Sequence, residues 1–174
     1  MIKLYLDCDG VILDTISKSY VKLKELGITD EERTREYFRN INWDELIEEA
    51  GEIDNATEKI KELYDSGLFD IAILTHVNSD NEAFVKYKYF KDRIPEIEII
   101  PVKKTIQKGD HVDPTGCILV DDYTPNLDYW YEKGGIPVKF SDSGKESKYI
   151  VISDLLELID IFDKKNIKMK KRVM

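Results

Sequence analysis

Four small clusters of reactive side chains punctuate the 174-residue chain. Asp7 and Asp9 stand two apart in Asp7-Cys8-Asp9-Gly10, and Thr75 follows Ile73-Leu74 and precedes His76. Lys103, Lys104 and Lys108 fall between two later apolar runs, and Asp121-Asp122 follows Leu119-Val120. Breaking a phosphate monoester calls for such a set: a nucleophile, a proton donor for the leaving oxygen, and positive charge on the equatorial oxygens. Asp7 can attack phosphorus and form an aspartyl-phosphate. Asp9 lies beyond the end of the first apolar run, so its side chain can turn into the same site, protonate the leaving group and then activate water. Several carboxylates together repel one another unless a cation sits among them. Carboxylate oxygens, water and substrate phosphate are the ligands Mg²⁺ prefers. Thr75 offers a hydroxyl with nearby backbone N–H groups, and a lysine supplies a point charge for the phosphoryl group. Each cluster alone is weak evidence, since Asp-x-Asp-Gly is more often a turn and a loop lysine is more often solvated. Together, in this order and each after an apolar run, they describe one site.

The elements that must position them alternate apolar β-rich runs with helical patterns, the mark of an α/β domain with a parallel sheet. Strands are expected at Ile2–Leu6, Phe69–Leu74, Ile97–Ile100 (stopped by Pro101), Cys117–Val120 and Ile136–Phe140. Helices are expected over Ala56–Tyr64, Glu82–Phe90, from Thr124 (as N-cap, with Pro125 in the first turn), and from Ser153 to about Phe162. Open α/β sheets bind ligands beyond the carboxyl ends of their strands, where the four clusters fall. The stretch from Thr15 to Gly51 breaks the alternation and reads as helices around Ser17–Leu26, Glu31–Asn40 and Trp43–Glu49. It is too long for an ordinary crossover. The expected architecture is a three-layer, Rossmann-like, five-stranded parallel sheet with a small helical cap inserted after the first strand. Its parts are a catalytic core over 1–14 and 52–163, a cap over 15–51, and a basic tail over 164–174.

Composition narrows the partners. The formal charge is −9, and the tail alone carries six Lys and Arg, leaving −15 on the body. An acidic body repels nucleic-acid polymers, and the tail reads as a solvated end. No apolar run approaches the roughly 20 residues needed to cross a bilayer. Met1 to Leu6 meets Asp7 too soon for a secretory segment, so a cytoplasmic location is expected. Cys8 and Cys117 lie about four residues out of register on the strand reading, roughly 13 Å, and are expected as free thiols.

Asp7-Cys8-Asp9-Gly10-Val11, Leu74-Thr75, a later Lys and Val120-Asp121-Asp122 resemble the four motifs of the haloacid dehalogenase-like (HAD) superfamily. The resemblance spans Ile2 to about Phe140. It implies Asp7 as nucleophile, Asp9 as general acid/base, and Mg²⁺ held by the Asp7 carboxylate, the Asp9 carbonyl and Asp122. Asp121 would support through water, and Asn126 would stand where some members carry another acid. Ile73-Leu74-Thr75-His76 and Val120-Asp121-Asp122-Tyr123-Thr124-Pro125-Asn126-Leu127, with Trp130 and Gly134-Gly135, look like the cytosolic 5′-deoxyribonucleotidase-like branch. That branch implies a nucleoside monophosphate substrate. Its Lys-x-x-x-Val form matches Lys108 to Val112, favouring Lys108 over Lys104 for the phosphate, beside Thr75 and His76. Tyr37, Phe38 and Trp43 are candidates to stack on a base, although aromatics at helical spacing are more often core.

Other readings fit less well. A receiver domain would place its paired acids first and a single acceptor in the middle, and it lacks a cap. A calcium loop needs a third ligand where Val11-Ile12-Leu13 stands. A phosphatase for another small metabolite, a phosphotransferase, and a phosphate-binding module on the same fold are the remaining alternatives.

Overall fold

The computed structural model describes residues 1–141, 143 and 147–163, so the basic tail lies outside the described residues. Strands β1 (Ile2–Leu6), β2 (Phe69–Val77), β3 (Glu98–Lys103), β4 (Ile118–Asp121), β5 (Ile136–Phe140) and β6 (Ile150–Ile152) form one sheet in the order β3-β2-β1-β4-β5-β6. All five pairings are parallel. β1 and β4 are the central pair, with Leu4 opposite Ile118 and Leu6 opposite Val120.

A parallel sheet is apolar on both faces, and the alternation along each strand assigns its side chains. Leu4, Leu6, Ile71, Ile73, Ile118 and Val120 join one core cluster with residues of α4 (Ala56–Asp65), α5 (Asp80–Arg93) and α8 (Glu157–Phe162). Tyr5, Ala72, Leu74 and Leu119 face the other way, against Leu127 and Trp130 of α7 (Thr124–Glu132). Trp130 is held by its indole N–H on the Cys117 carbonyl at 2.9 Å. A Cβ on Gly135 would lie 2.2 Å from its ring, so the turn before β5 needs glycine.

Helices α1 (Thr15–Glu25), α2 (Glu31–Asn40) and α3 (Trp43–Ala50) fill the gap between β1 and α4. The Asp30 side chain caps α2 through the Arg33 N–H, and Asn42 caps α3 through the Glu45 N–H, which fixes both starts. Where the chain leaves the sheet and returns, Ile53 N–H meets the Ile12 carbonyl at 2.8 Å and Asp14 N–H meets Gly51 at 3.1 Å. The three helices are thus tied to the sheet by a short antiparallel contact beside Asp9.

Four expectations need correction. Among the described residues the sheet has six strands, not five: β6 is only three residues long and gains its order from β5 rather than from a pattern of its own. β3 does not stop at Pro101 but runs through it, because an edge strand can present a position without N–H to the open side. Thr124 is the first residue of α7 rather than its cap, and Tyr123 occupies the cap position. The last helix begins at Glu157, after a turn over Ser153–Leu156 in which Glu157 accepts the N–H groups of Ser153 and Asp154. Cys8 and Cys117 are free thiols. No described helix is long and apolar enough to cross a membrane.

Candidate active site

β1 ends by handing over Asp7, whose N–H still reaches the Val120 carbonyl at 2.9 Å. The chain then coils tightly, the Cys8 carbonyl receiving the N–H groups of Ile12 at 2.8 Å and Leu13 at 3.0 Å. Gly10 sits in this coil at φ +81°, and a Cβ there would come within 2.3 Å of Asp122 Oδ2. Glycine is what lets the Asp7 coil and the end of β4 approach each other.

That approach gathers the acids. One carboxylate oxygen from each of Asp7, Asp121 and Asp122 lies within 4.8 Å of the others. Lys108, buried on the short helix α6 (Lys108–His111), places its Nζ 2.7 Å from both Asp7 Oδ1 and Asp121 Oδ2. Asp121 also accepts the Tyr123 N–H at 2.8 Å and Asn126 Nδ2 at 2.9 Å, so both of its oxygens are occupied. Among the described residues no side chain donates to the Asp122 carboxylate. Lys139 donates to the Asp122 carbonyl and to Thr124 Oγ1, fixing the backbone below that carboxylate.

Asp9 is held separately. Its Oδ1 accepts the Thr15 hydroxyl at 2.6 Å and its Oδ2 accepts Lys86 Nζ at 2.5 Å. Burial alone would raise the Asp9 pKa, but the charge and hydrogen bond of Lys86 outweigh it and hold the group below its ordinary value. Asp7 behaves oppositely: burial pushes it up to about 7, with Asp121 and Asp9 adding repulsion that Lys108 only partly offsets. Asp122 is pushed up to about 6 by burial and by Asp121.

No family model matches the sequence, and no curated protein does. Solved structures do. A HAD-hydrolase from Bacillus subtilis, described as bound to magnesium, superposes with a TM-score of 0.63 at 15% identity, over 93% of this chain and 98% of that one. A family IA, variant 3 HAD hydrolase from Entamoeba histolytica gives 0.63 at 15% identity, over 97% and 100%. A D,D-heptose 1,7-bisphosphate phosphatase from Burkholderia thailandensis gives 0.57 at 17% identity, over 94% and 100%. The chain has the HAD fold.

On this HAD fold the residues singled out in the sequence are unevenly placed. Asp7, Asp121, Asp122 and Lys108 meet directly, and Asp9 stands beside them. Lys104 is exposed on the loop after β3. Thr75 is fully buried with its hydroxyl turned to Lys86 at 3.2 Å. The His76 ring pairs with the Ile106 carbonyl at 2.9 Å, which ties down the loop leading to Lys108. Burial and the nearby Lys108 lower His76 to about 4, so it is neutral. Trp43 is buried against Lys86, and Tyr37 lines a groove with Lys22 and Glu25 of α1 and Arg33 and Glu36 of α2. Sequence reasoning missed Lys86, Glu82, Thr15 and Lys139. The one available signal was the spacing of Glu82 and Lys86, which looks like an ordinary surface pair.

The acid cluster fits a hard divalent cation on its own terms. Asp7 and Asp122 carry raised pKa values because burial, and then the neighbouring acids, disfavour their charge, and Gly10 leaves room for the Asp122 carboxylate. A cation must therefore displace protons. At pH 6.5, Mg²⁺ binding should release about one proton, falling towards none above about pH 8.5. Affinity should rise with pH up to about 7.5 and then level off. Calorimetry in two buffers of different ionisation enthalpy measures this, and a buffer-independent heat at pH 6.5 would refute the raised carboxyl.

Proposed function

We propose that the chain is a Mg²⁺-dependent phosphomonoester hydrolase working through an aspartyl-phosphate on Asp7. The observation that carries the reading is the Asp7 carboxylate at the end of a central strand, with Asp121, Asp122 and Lys108 gathered on it. Residues 1–14 and 52–163 form the catalytic core in this reading, and 15–51 form its cap. Asp7, Asp122 and the Asp9 carbonyl would hold Mg²⁺, which when bound supplies positive charge for the phosphoryl oxygens, with Asp121 supporting.

The chain's own groups do the rest. Asp7 attacks phosphorus, and the ester oxygen leaves. Lys108 stays beside the nucleophile and neutralises charge gathering on the phosphoryl oxygens. The loop held by His76 completes the phosphate pocket, and the Thr75 hydroxyl, buried between Lys86 and the His76 carbonyl, would have to turn to reach it. Asp9 rests as a carboxylate; an arriving phosphate dianion favours its protonated form, so it can give that proton to the leaving oxygen. In the second step Asp9 takes a proton from the water that attacks the aspartyl-phosphate.

The leaving group occupies a cleft of about 940 Å³ beside Asp122. Resemblance favours a nucleoside monophosphate. The lining supports a second reading: Asp14, Ser17, Glu52, Ser141 and Lys148 stand beside Ile16 and Ile53, and among the described residues Phe140 is the aromatic one. Such a wall suits a hydroxyl-rich sugar phosphate better than a stacked base. A screen of nucleoside monophosphates, sugar phosphates and cofactor phosphates with Mg²⁺ decides between them. Absence of phosphate release from every class would defeat the proposal.

The metal assignment has its own test. Asp122→Ala should weaken Mg²⁺ binding by more than about 100-fold, and Asp121→Ala by about 10-fold, as for an outer partner. Asp121 is already saturated by Lys108, Asn126 and Tyr123, whereas Asp122 is free to ligate. Equal losses in a titration of the two variants would overturn the assignment.

A further inference from the structure

Lys86 has no exposed surface and lies in the middle of α5, where a charged side chain is costly to bury. Its ammonium has four oxygen neighbours: Asp9 Oδ2 at 2.5 Å, Glu82 Oε1 at 2.7 Å, Thr75 Oγ1 at 3.2 Å and the His76 carbonyl at 3.3 Å. The Trp43 ring covers it at 5.0 Å. Glu82 is itself buried, and its Oε2 is fixed by the Asn78 N–H at 2.7 Å and Asn78 Nδ2 at 3.1 Å. A rigid, fully partnered lysine therefore stands behind a carboxylate whose side chain keeps 17% of its surface exposed.

A purely structural ion pair would not need this arrangement, since an apolar pair of similar size packs at least as well. What the arrangement does provide is aim. Thr15 holds one Asp9 oxygen and Lys86 the other, so the carboxylate cannot rotate without breaking a short hydrogen bond. Proton transfer depends on such aim within a fraction of an ångström.

We propose that Lys86 is a positioning residue for hydrolysis, fixing the orientation of the Asp9 carboxylate, with Glu82 and Trp43 holding Lys86 in place. The proposal rests on the reading of Asp9 as the proton-transfer group. Lys86 does not touch substrate in this account; it acts through Asp9 alone. Its loss should therefore hurt substrates that need a proton and spare those that do not.

The test is a double-mutant cycle on the Mg²⁺-loaded full chain, reading kcat/KM for an alkyl phosphate and for p-nitrophenyl phosphate. Lys86→Met should lower kcat/KM for the alkyl ester by about 10²-fold, the scale of general acid catalysis. With the aryl ester, whose oxygen leaves unprotonated, the loss should stay within about threefold. In an Asp9→Asn background, Lys86→Met should add almost nothing to either value. Equal losses for both esters, or a full additional loss in the Asp9→Asn background, would overturn the proposal. If Lys86→Met fails to fold because Glu82 is left unpaired, the Glu82→Gln/Lys86→Met variant removes that charge and carries the same comparison. A crystal structure of the folded variant gives a readout independent of turnover: Asp9 should leave its Thr15-bound orientation, and an unmoved carboxylate refutes positioning. If the unmodified chain hydrolyses neither ester nor any phosphate of the substrate screen, the functional reading fails, while the crystal structure still decides whether Lys86 orients Asp9.

Discussion

Asp7→Asn should reduce Mg²⁺-dependent turnover essentially to background while leaving the protein folded. The substitution keeps the shape of the side chain but removes the anionic oxygen that attacks phosphorus in the proposed mechanism, in which no phosphoenzyme could then form. Removing a nucleophile of this kind costs far more than the roughly 10²–10⁴-fold attached to proton transfer. Stability should move the other way. The Asp7 pKa is raised in the folded state by burial, then by Asp121 and Asp9. A raised carboxyl is disfavoured when ionised, so the metal-free protein loses stability as pH climbs from about 4 towards 7. Asparagine does not ionise and escapes that loss. At pH 8 without metal the variant should melt at the same temperature as the unmodified chain or a few degrees higher. With Mg²⁺ the order should reverse, because only the unmodified chain retains the full charge that binds the cation. Phosphate release and melting temperature, each measured with and without Mg²⁺, check both halves. Retention of turnover within about tenfold would mean that water, not Asp7, is the nucleophile.

The contrast between Asp7 and Lys86 shows how far the sequence could be read. Asp7, Asp9, Asp121 and Asp122 follow directly on apolar runs that become the central strands β1 and β4, so their convergence follows from strand order alone. The helix expected over Glu31–Asn40 is α2 with those bounds, because Asp30 supplies a cap whose chemistry is local. Lys108 needed the resemblance: three lysines shared one connection, and only the folding of residues 108–111 into a helical turn aims one of them at Asp7. Lys86 could not be read at all. Its burial is decided by how α5 packs between β2 and α3, and Glu82 four residues earlier has the spacing of a solvated pair. β6 was hidden for a similar reason, since three residues carry too little periodicity to register without β5 beside them. Of the aromatic candidates, Trp43 follows the commoner fate of aromatics at helical spacing: it is buried, and its ring covers Lys86.

Lys108→Met should damage both turnover and stability, and the two losses should respond differently to pH and metal. Lys108 is buried between Asp7 and Asp121, and its pKa is raised because those two acids outweigh the desolvation that would lower it. A lysine raised in this way contributes stability that is fully present below its ordinary pKa of about 10.4 and fades only as pH passes its folded value. Across neutral pH its removal therefore exposes the whole repulsion of the acid cluster. Breaking a buried pair by deleting one partner costs about 3–5 kcal/mol, or roughly 6–20 °C in melting temperature for a chain of this size. The deficit should be greatest above about pH 7, where Asp7 is ionised, and smaller at pH 5.5, where that carboxyl holds its proton. Mg²⁺ should raise the melting temperature of Lys108→Met more than that of the unmodified chain, because a cation supplies the missing positive charge. Turnover should not be restored with it. The charge opposite the phosphoryl oxygens is absent however well the acids are neutralised, and loss of one such group costs about 10²–10³-fold. Thermal melts at pH 5.5 and 8, with and without Mg²⁺, and phosphate release at saturating Mg²⁺ separate the two roles. A melting temperature that is unchanged at pH 8 would show that Lys108 does not neutralise the cluster. Full recovery of turnover with Mg²⁺ would show that it does not act on the phosphate.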